Sequence, residues 1–219
     1  MLLAVVARRT RSAAFTQAVA WTLAGILLAN WAGTVYYEHA YGTLEPPMQL
    51  CDWAAFAVIV ALLLRRKGFY EVAYFWGLSG TFQAVLTPNL AVRFPDYRFI
   101  SFFIFHSGVV AGVLSLTLAM GFRPTWGSLP RAWAWSQVYL ACALLVNHFT
   151  GNNFGFLSHK PTAHSLLDYL SDDKVLYILG MELFALAFFL ILYAPFAIRD
   201  YRDYGLSRSI RHSPPGSSA

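Results

Sequence analysis

VLYILGMELFALAFFLILYAPFAI, residues 175–198, is a run of 24 residues with one charged side chain, Glu182. The hydrocarbon core of a bilayer is about 30 Å thick, and roughly 20 apolar residues of α-helix cross it. This stretch is long enough and apolar enough to do so. Five more runs fit the same description, at residues 14–36, 48–64, 69–90, 97–120 and 129–150. The second is somewhat short, and Pro88 stands near the end of the third. The reading is an all-α membrane protein, a six-transmembrane-helix bundle. It forms one domain over residues 1–206, followed by a polar tail at 207–219 that is expected to be disordered.

The rest of the composition agrees. Of 219 residues, 58% are hydrophobic and only 12% are charged, where a soluble domain carries about 25%. The mean hydropathy is +0.50. Aromatic residues make up 17% and many flank the apolar runs, which suits an interfacial belt. The net charge of +5 does not indicate nucleic acid, because the basic residues lie between apolar runs and not on one polar face. There are two cysteines, Cys51 and Cys142, and no CxxC motif, so neither a disulfide framework nor a zinc site follows. The first apolar run resembles a signal anchor and, with no small-residue cleavage motif after it, is expected to be retained.

Lys and Arg set the orientation. With a cytoplasmic N-terminus, twelve of the 16 fall inside, among them Arg65, Arg66, Lys67, Arg123 and Arg131. Four fall outside: Arg93, Arg98, Lys160 and Lys174. The positive-inside rule then puts both termini in the cytoplasm, as an even number of helices requires.

Strongly polar groups at membrane depth are functional candidates. The topology gathers Cys51, Asp52, Gln83, His106, Asn147 and Glu182 in the outer half of the bundle. Acyl transfer uses such a set: a thiolate nucleophile, a histidine base and amide donors for the oxyanion. Cys51, His106 and the Gln83 and Asn147 amides supply it, with Asp52 or Glu182 to orient the imidazole. Blander readings stand beside it. Cys51 can be a small packing residue, as Cys142 is read to be. His106 can be a buried histidine bonded to a neighbouring helix, and Glu182 can pair with a polar residue of another helix. Glu71, near the inner interface, is read as a structural partner of Arg65, Arg66 or Lys67. Gly77, Gly80 and Ala84 suit close helix packing or leave room for a lipid chain. The loop after residue 150 is the longest between helices; its Asn153 and Lys160 are candidates for the substrate side, Lys160 as a point charge for a lipid phosphate. Haem held by His106 and His148 is set aside because the two lie at different depths, and no cofactor is expected.

Several blocks carry a family resemblance: Met48-Gln49-Leu50-Cys51-Asp52, Tyr74 to Ala84 with Thr87-Pro88, Phe102 to Gly108, Gly121 to Trp126, Asn152 to Leu157 with Lys160-Pro161, and Ser165 to Asp168. Together they resemble the YwaF-type family of bacterial integral membrane proteins. Its animal relatives include a transmembrane acyltransferase that builds polyunsaturated ether phospholipids. The resemblance implies a six-helix bundle related to small membrane hydrolases that use a threonine and a histidine. It implies that Cys51 matches the acyl-accepting cysteine and His106 its paired histidine. It also implies a bacterial cytoplasmic membrane as the location. After Asp168 the chain departs from the family's Gly-Pro-Trp-Pro-like turn, and Gly155 stands where a bulkier residue is usual.

Two functions are therefore expected. One is a membrane-embedded lipid acyl-transfer or lipid-hydrolysing enzyme with a Cys51 nucleophile and a His106 base. The other is a transporter or lipid-binding protein without covalent chemistry. In both, the partners are membrane lipids and not nucleic acid.

Overall fold

The computed structural model describes residues 12–212, with side chains to residue 202. Among the described residues there are six helical rods and no strand. Helix α1 is Ala13–Tyr41; the Ser12 side chain accepts the Phe15 N–H at its start, and Gly42 ends it at φ 66°. That left-handed conformation suits glycine, which has no Cβ to clash. Helix α2 is Leu50–Leu64. Helix α3 runs from Lys67–Trp76 through a π-helical turn, Gly77–Thr81, into Phe82–Leu86. It stops ahead of Pro88, four residues short of the expected end, because a proline cannot continue the hydrogen-bond ladder. Helix α4 is Tyr97–Ala119, its last five residues π-helical. Helix α5 is Ser128–Thr150 and α6 is Lys174–His212. The backbone of α6 thus continues six residues into the stretch read as tail; the remainder, residues 213–219, lies outside the described residues.

Three rods, α1, α4 and residues Lys174–Arg202 of α6, are long and apolar enough to cross a bilayer by length and composition; α2 is apolar but shorter. Their outer faces carry bare hydrophobes, Leu183 at 66% and Ile191 at 65% exposed. A contiguous surface of that kind is at home in lipid rather than water.

Inside a membrane the hydrophobic effect does not draw helices together, so packing and interhelical hydrogen bonds must. Helix α2 offers small side chains to its neighbours: Ala54, Ala55, Ala57 and Ala61 are buried. Gly112 of α4 sits so close that a Cβ there would lie 2.5 Å from Val58 Cγ1 of α2. A Cβ at Gly77 would lie 3.0 Å from Val113, and one at Gly80 2.9 Å from Leu50. Gly77 is therefore at a packing contact, while Gly80 and Ala84 also border open space between the helices. Polar links tie the remaining rods. Tyr74 Oη donates to the Leu192 carbonyl at 2.9 Å, and Trp76 Nε1 to Ser136 Oγ at 2.9 Å.

Glu71 is a structural partner of Lys67, as expected, but its closest partners are others. Its carboxylate, 2% exposed, accepts two hydrogen bonds from Arg131 at 2.7 Å each and one from Ser128 Oγ at 2.7 Å; Lys67 stands off at 3.9 Å. The principal partner comes from α5, across the helix interface into which the side chain is buried. Arg131→Met should strand a buried carboxylate. With Arg131 half-exposed, we expect a loss of about 2–3 kcal/mol, read as a lower thermal midpoint in detergent micelles. Adding Glu71→Met should restore much of it.

Candidate functional site

At the end of the bundle where α1 and α3 finish and α2 and α4 begin, the structure forms an open-sided cavity of about 1080 Å³. That exceeds the roughly 300–1,000 Å³ of small-ligand pockets. Cys51, Asp52, Gln83 and His106 all line it. The contact between Val58 and Gly112 explains why the first and last of these share a level. Helices α2 and α4 both start at the cavity end. Cys51 lies two turns above Val58, about 10 Å, and His106 six residues above Gly112, about 9 Å. Seven residues is close to two full turns, so Cys51 also projects from the face of α2 that Val58 turns towards α4.

His106 is 7% exposed. Its Nδ1 lies 2.8 Å from the carbonyl oxygen of Phe102, and its ring lies over the Phe102 ring at 4.0 Å. A carbonyl only accepts, so Nδ1 carries the proton and donates it. In the neutral ring Nε2 is then the lone-pair nitrogen. The orienting acceptor is thus a backbone carbonyl of the same helix, one turn back, and not Asp52 or Glu182. Those two are committed elsewhere. Asp52 accepts the Gln49 N–H at 2.9 Å, capping the first turn of α2. Glu182 accepts from Gln137 Nε2 at 2.6 Å, joining α6 to α5.

The two amides part company. Gln83 stays on the cavity wall with no side-chain hydrogen bond among the described residues. Asn147 is buried and spent on the chain after α5: its Nδ2 donates to the Phe154 carbonyl at 3.0 Å and its Oδ1 accepts the Phe154 N–H at 2.8 Å. Asn153 folds the loop, accepting from the N–H groups of Ser158 and His159 at 2.8 and 3.2 Å. Lys160 donates to the Leu170 carbonyl and to Asp172, each at 2.7 Å. Asn147, Asn153, Lys160 and Glu182 lie off the cavity wall. Among the described residues no group of three or more His, Cys, Asp or Glu side chains is arranged to hold a metal ion.

The loop between α5 and α6 does more than lie along a surface. Gly155, Phe156, Leu166 and Leu167 form part of the cavity wall. Two clips hold it there. The Gly155 N–H donates to Gln49 Oε1 at 3.1 Å, two residues from Cys51. Across the mouth, Thr162 Oγ1 and the Ala163 N–H donate to Asn89 Oδ1 at 2.9 and 3.1 Å. Gly155 adopts φ +66°, and a Cβ there would lie 2.6 Å from the Tyr139 hydroxyl, so a larger residue does not fit this turn. Tyr139 itself donates to the Met48 carbonyl at 3.2 Å, bracing the chain just ahead of α2. Sequence reasoning missed Gln49, Asn89 and Tyr139. Gln49 stands beside Cys51 in a motif block, and that proximity was the one available signal. The other two act through partners more than 70 residues away.

Compared with known proteins, the model of the TMEM164 family matches residues 1–193. No curated protein and no solved structure matches.

Asn89→Ala should free the loop at the mouth. The loss of two modest hydrogen bonds predicts about tenfold faster modification of Cys51 by a bulky thiol reagent, with Cys142 unchanged as the internal reference. At the far end of the loop, Lys160 beside Asp172 holds that carboxyl below the usual carboxylate range. A depressed folded value stabilises the tether above the unfolded titration near pH ~4 and is lost as pH falls through the lower folded value. Amide-exchange protection of residues 160–172, corrected for intrinsic rates, should therefore hold from neutral pH to about 4 and drop below it. Asp172→Asn should reproduce that drop at neutral pH.

Proposed function

The chain belongs to the TMEM164 family of membrane proteins, and from that premise we propose that it is a lipid acyl-transfer or lipid-hydrolysing enzyme working inside the bilayer. Cys51 is the nucleophile and His106 its base. The observation that carries this reading is their shared position on one large amphipathic cavity, with the Nδ1 proton of His106 held by Phe102. The resemblance of the Cys51 and His106 blocks to YwaF-type proteins supports the same pairing. The protein is an integral membrane protein, and we read all six rods as crossings. The Lys and Arg distribution then puts both termini in the cytoplasm and the cavity in the outer half.

The chemistry balances with these residues alone. His106 Nε2 takes the proton of the Cys51 thiol, and the sulfur attacks the carbonyl carbon of an acyl ester. Charge gathers on the carbonyl oxygen, where the uncommitted Gln83 amide can donate. The C–O bond breaks, the departing lipid alkoxide takes the proton from His106, and Cys51 is left as a thioester. A lysolipid hydroxyl or water then attacks that thioester while His106 accepts its proton. The C–S bond breaks, and the departing Cys51 thiolate takes the proton back from His106, which restores the thiol. The apolar stretches of the wall, among them Leu50, Phe102, Phe105 and Met181, suit an acyl chain.

A lipid-binding protein without covalent chemistry would use the same cavity. A proton-coupled carrier is less well supported, because Asp52 and Glu182 are engaged in capping and in a helix–helix link. Intact-protein mass spectrometry with a lipid-like thiol-reactive probe separates the readings. We expect selective labelling of Cys51 over Cys142, slowed about 100-fold or more by His106→Ala. Equal labelling of both cysteines, or full lipid-remodelling activity in both Cys51→Ala and His106→Ala, would sink the enzymatic reading.

A further inference from the structure

Helix register brings one more polar side chain to the depth of Cys51 and His106. Helices α1 and α4 run antiparallel. A Cβ at Gly108 would lie 2.9 Å from Leu27 Cδ2, and Thr34 Oγ1 lies 2.9 Å from Ser101 Oγ. Asn30 falls between Leu27 and Thr34, so it stands level with Phe105, next to His106 in the chain. It also shares the face of α1 that carries those two residues towards α4. The contact of Val58 with Gly112 on the parallel helices α2 and α4 puts Cys51 at the same level. Gln83 comes to it from α3, whose Gly77 packs between Val109 and Val113. Asn30, Cys51, Gln83 and His106 all line the one cavity.

Asn30 is half-buried, and its side-chain amide makes no hydrogen bond among the described residues; the Thr34 hydroxyl bonds its backbone carbonyl at 3.1 Å instead. Thr34 and Ser101, the neighbouring polar side chains on this seam, are spent on each other. An amide left without a partner at membrane depth is costly, and it offers two N–H donors. The backbone N–H groups of helix interiors are consumed by their own ladder, so a donor from α1 or α3 at this depth has to be a side chain. We propose that Asn30 is a catalytic residue, its Nδ2 joining Gln83 Nε2 in donating to the carbonyl oxygen of the acyl ester as Cys51 attacks. This rests on the reading of the cavity as an acyl-transfer site. As the C–S bond forms, the electron pair of the C=O bond moves onto the oxygen, and the two amides hold the charge there. On collapse the pair returns, the C–O bond breaks and the alkoxide leaves with the proton of His106. Donors on two helices fix the oxygen from two directions, which a single amide cannot.

The test uses the full chain in detergent micelles and compares two reactions of Cys51, with Cys51→Ser as the blank. One is acylation by 4-methylumbelliferyl heptanoate, read as the burst of released methylumbelliferone. The other is alkylation by iodoacetamide, a displacement at saturated carbon that builds no charge on a carbonyl oxygen. Both need the same thiolate, and only acylation needs a site for the oxyanion. Asn30→Ala should slow acylation about 100-fold and leave alkylation within about twofold. Asn30→Leu, which keeps the volume and guards against a collapsed cavity, should do the same. Gln83→Ala should behave alike. The double variant should lose less than the product of the two single losses, because both amides act on one oxygen. His106→Ala should slow both reactions. An Asn30→Ala variant acylated at the rate of the parent overturns the proposal. So does one that loses alkylation as strongly as acylation, because the amide then shapes the thiol's surroundings and does not hold the oxygen. If the ester acylates Cys51 and only the Asn30 pattern fails, this proposal alone falls. If iodoacetamide alkylates Cys51 but the ester does not acylate it, the acyl-transfer reading falls and takes this proposal with it.

Discussion

Gly112 of α4 lies against Val58 of α2 with no room for a Cβ between them. The helices that carry Cys51 and His106 are set by that contact. Two parallel rods in van der Waals contact hold their side chains at depths fixed by helical rise. The thiol and the imidazole therefore stand at one level, although 55 residues of chain separate them. In a bilayer this contact has no hydrophobic driving force behind it, so its close fit, and the alanines that flank it on α2, hold the pair together.

The polar groups divide by a second constraint. Backbone and side-chain groups removed from water must find partners within the protein. Asp52 answers the bare start of α2, Glu182 answers Gln137, and Asn147 answers the backbone of Phe154. Glu71 answers a cation and a hydroxyl of α5. These residues are costly in lipid and satisfied by neighbours. Gln83, His106 and Cys51 remain on the cavity wall. Polarity at membrane depth marks both groups alike; what tells them apart is the polar atom left over on the wall, the Gln83 amide and His106 Nε2, whereas Asp52, also on that wall, caps α2.

The loop after α5 joins the two constraints. It walls the cavity with apolar side chains and is clipped at one end to Gln49, beside the Cys51 turn, and at the other to Asn89. A chain that walls a cavity and braces the helix start bearing Cys51 couples access to geometry. Gly155 is required on two counts: its backbone is left-handed, and the Tyr139 hydroxyl occupies the space a Cβ would fill.

Hydropathy alone determined the six helical segments, their alternation and the end of the bundle at which Cys51, Gln83 and His106 gather. The length of an apolar run and the spacing of basic residues are local properties that survive in a linear string. The end of α3 was misjudged by four residues, because the apolar pattern ran on past the point where Pro88 breaks the ladder. Only the tertiary structure decided the partners. Arg131 joins Lys67 on Glu71 in place of Arg65 or Arg66, and the Phe102 carbonyl rather than a carboxylate holds His106. Asn147, Asn153 and Lys160 are bound up in the loop. A hydrogen bond depends on which way a side chain turns and what stands within 3 Å of it. In a helical bundle that neighbour is often dozens of residues away along the chain.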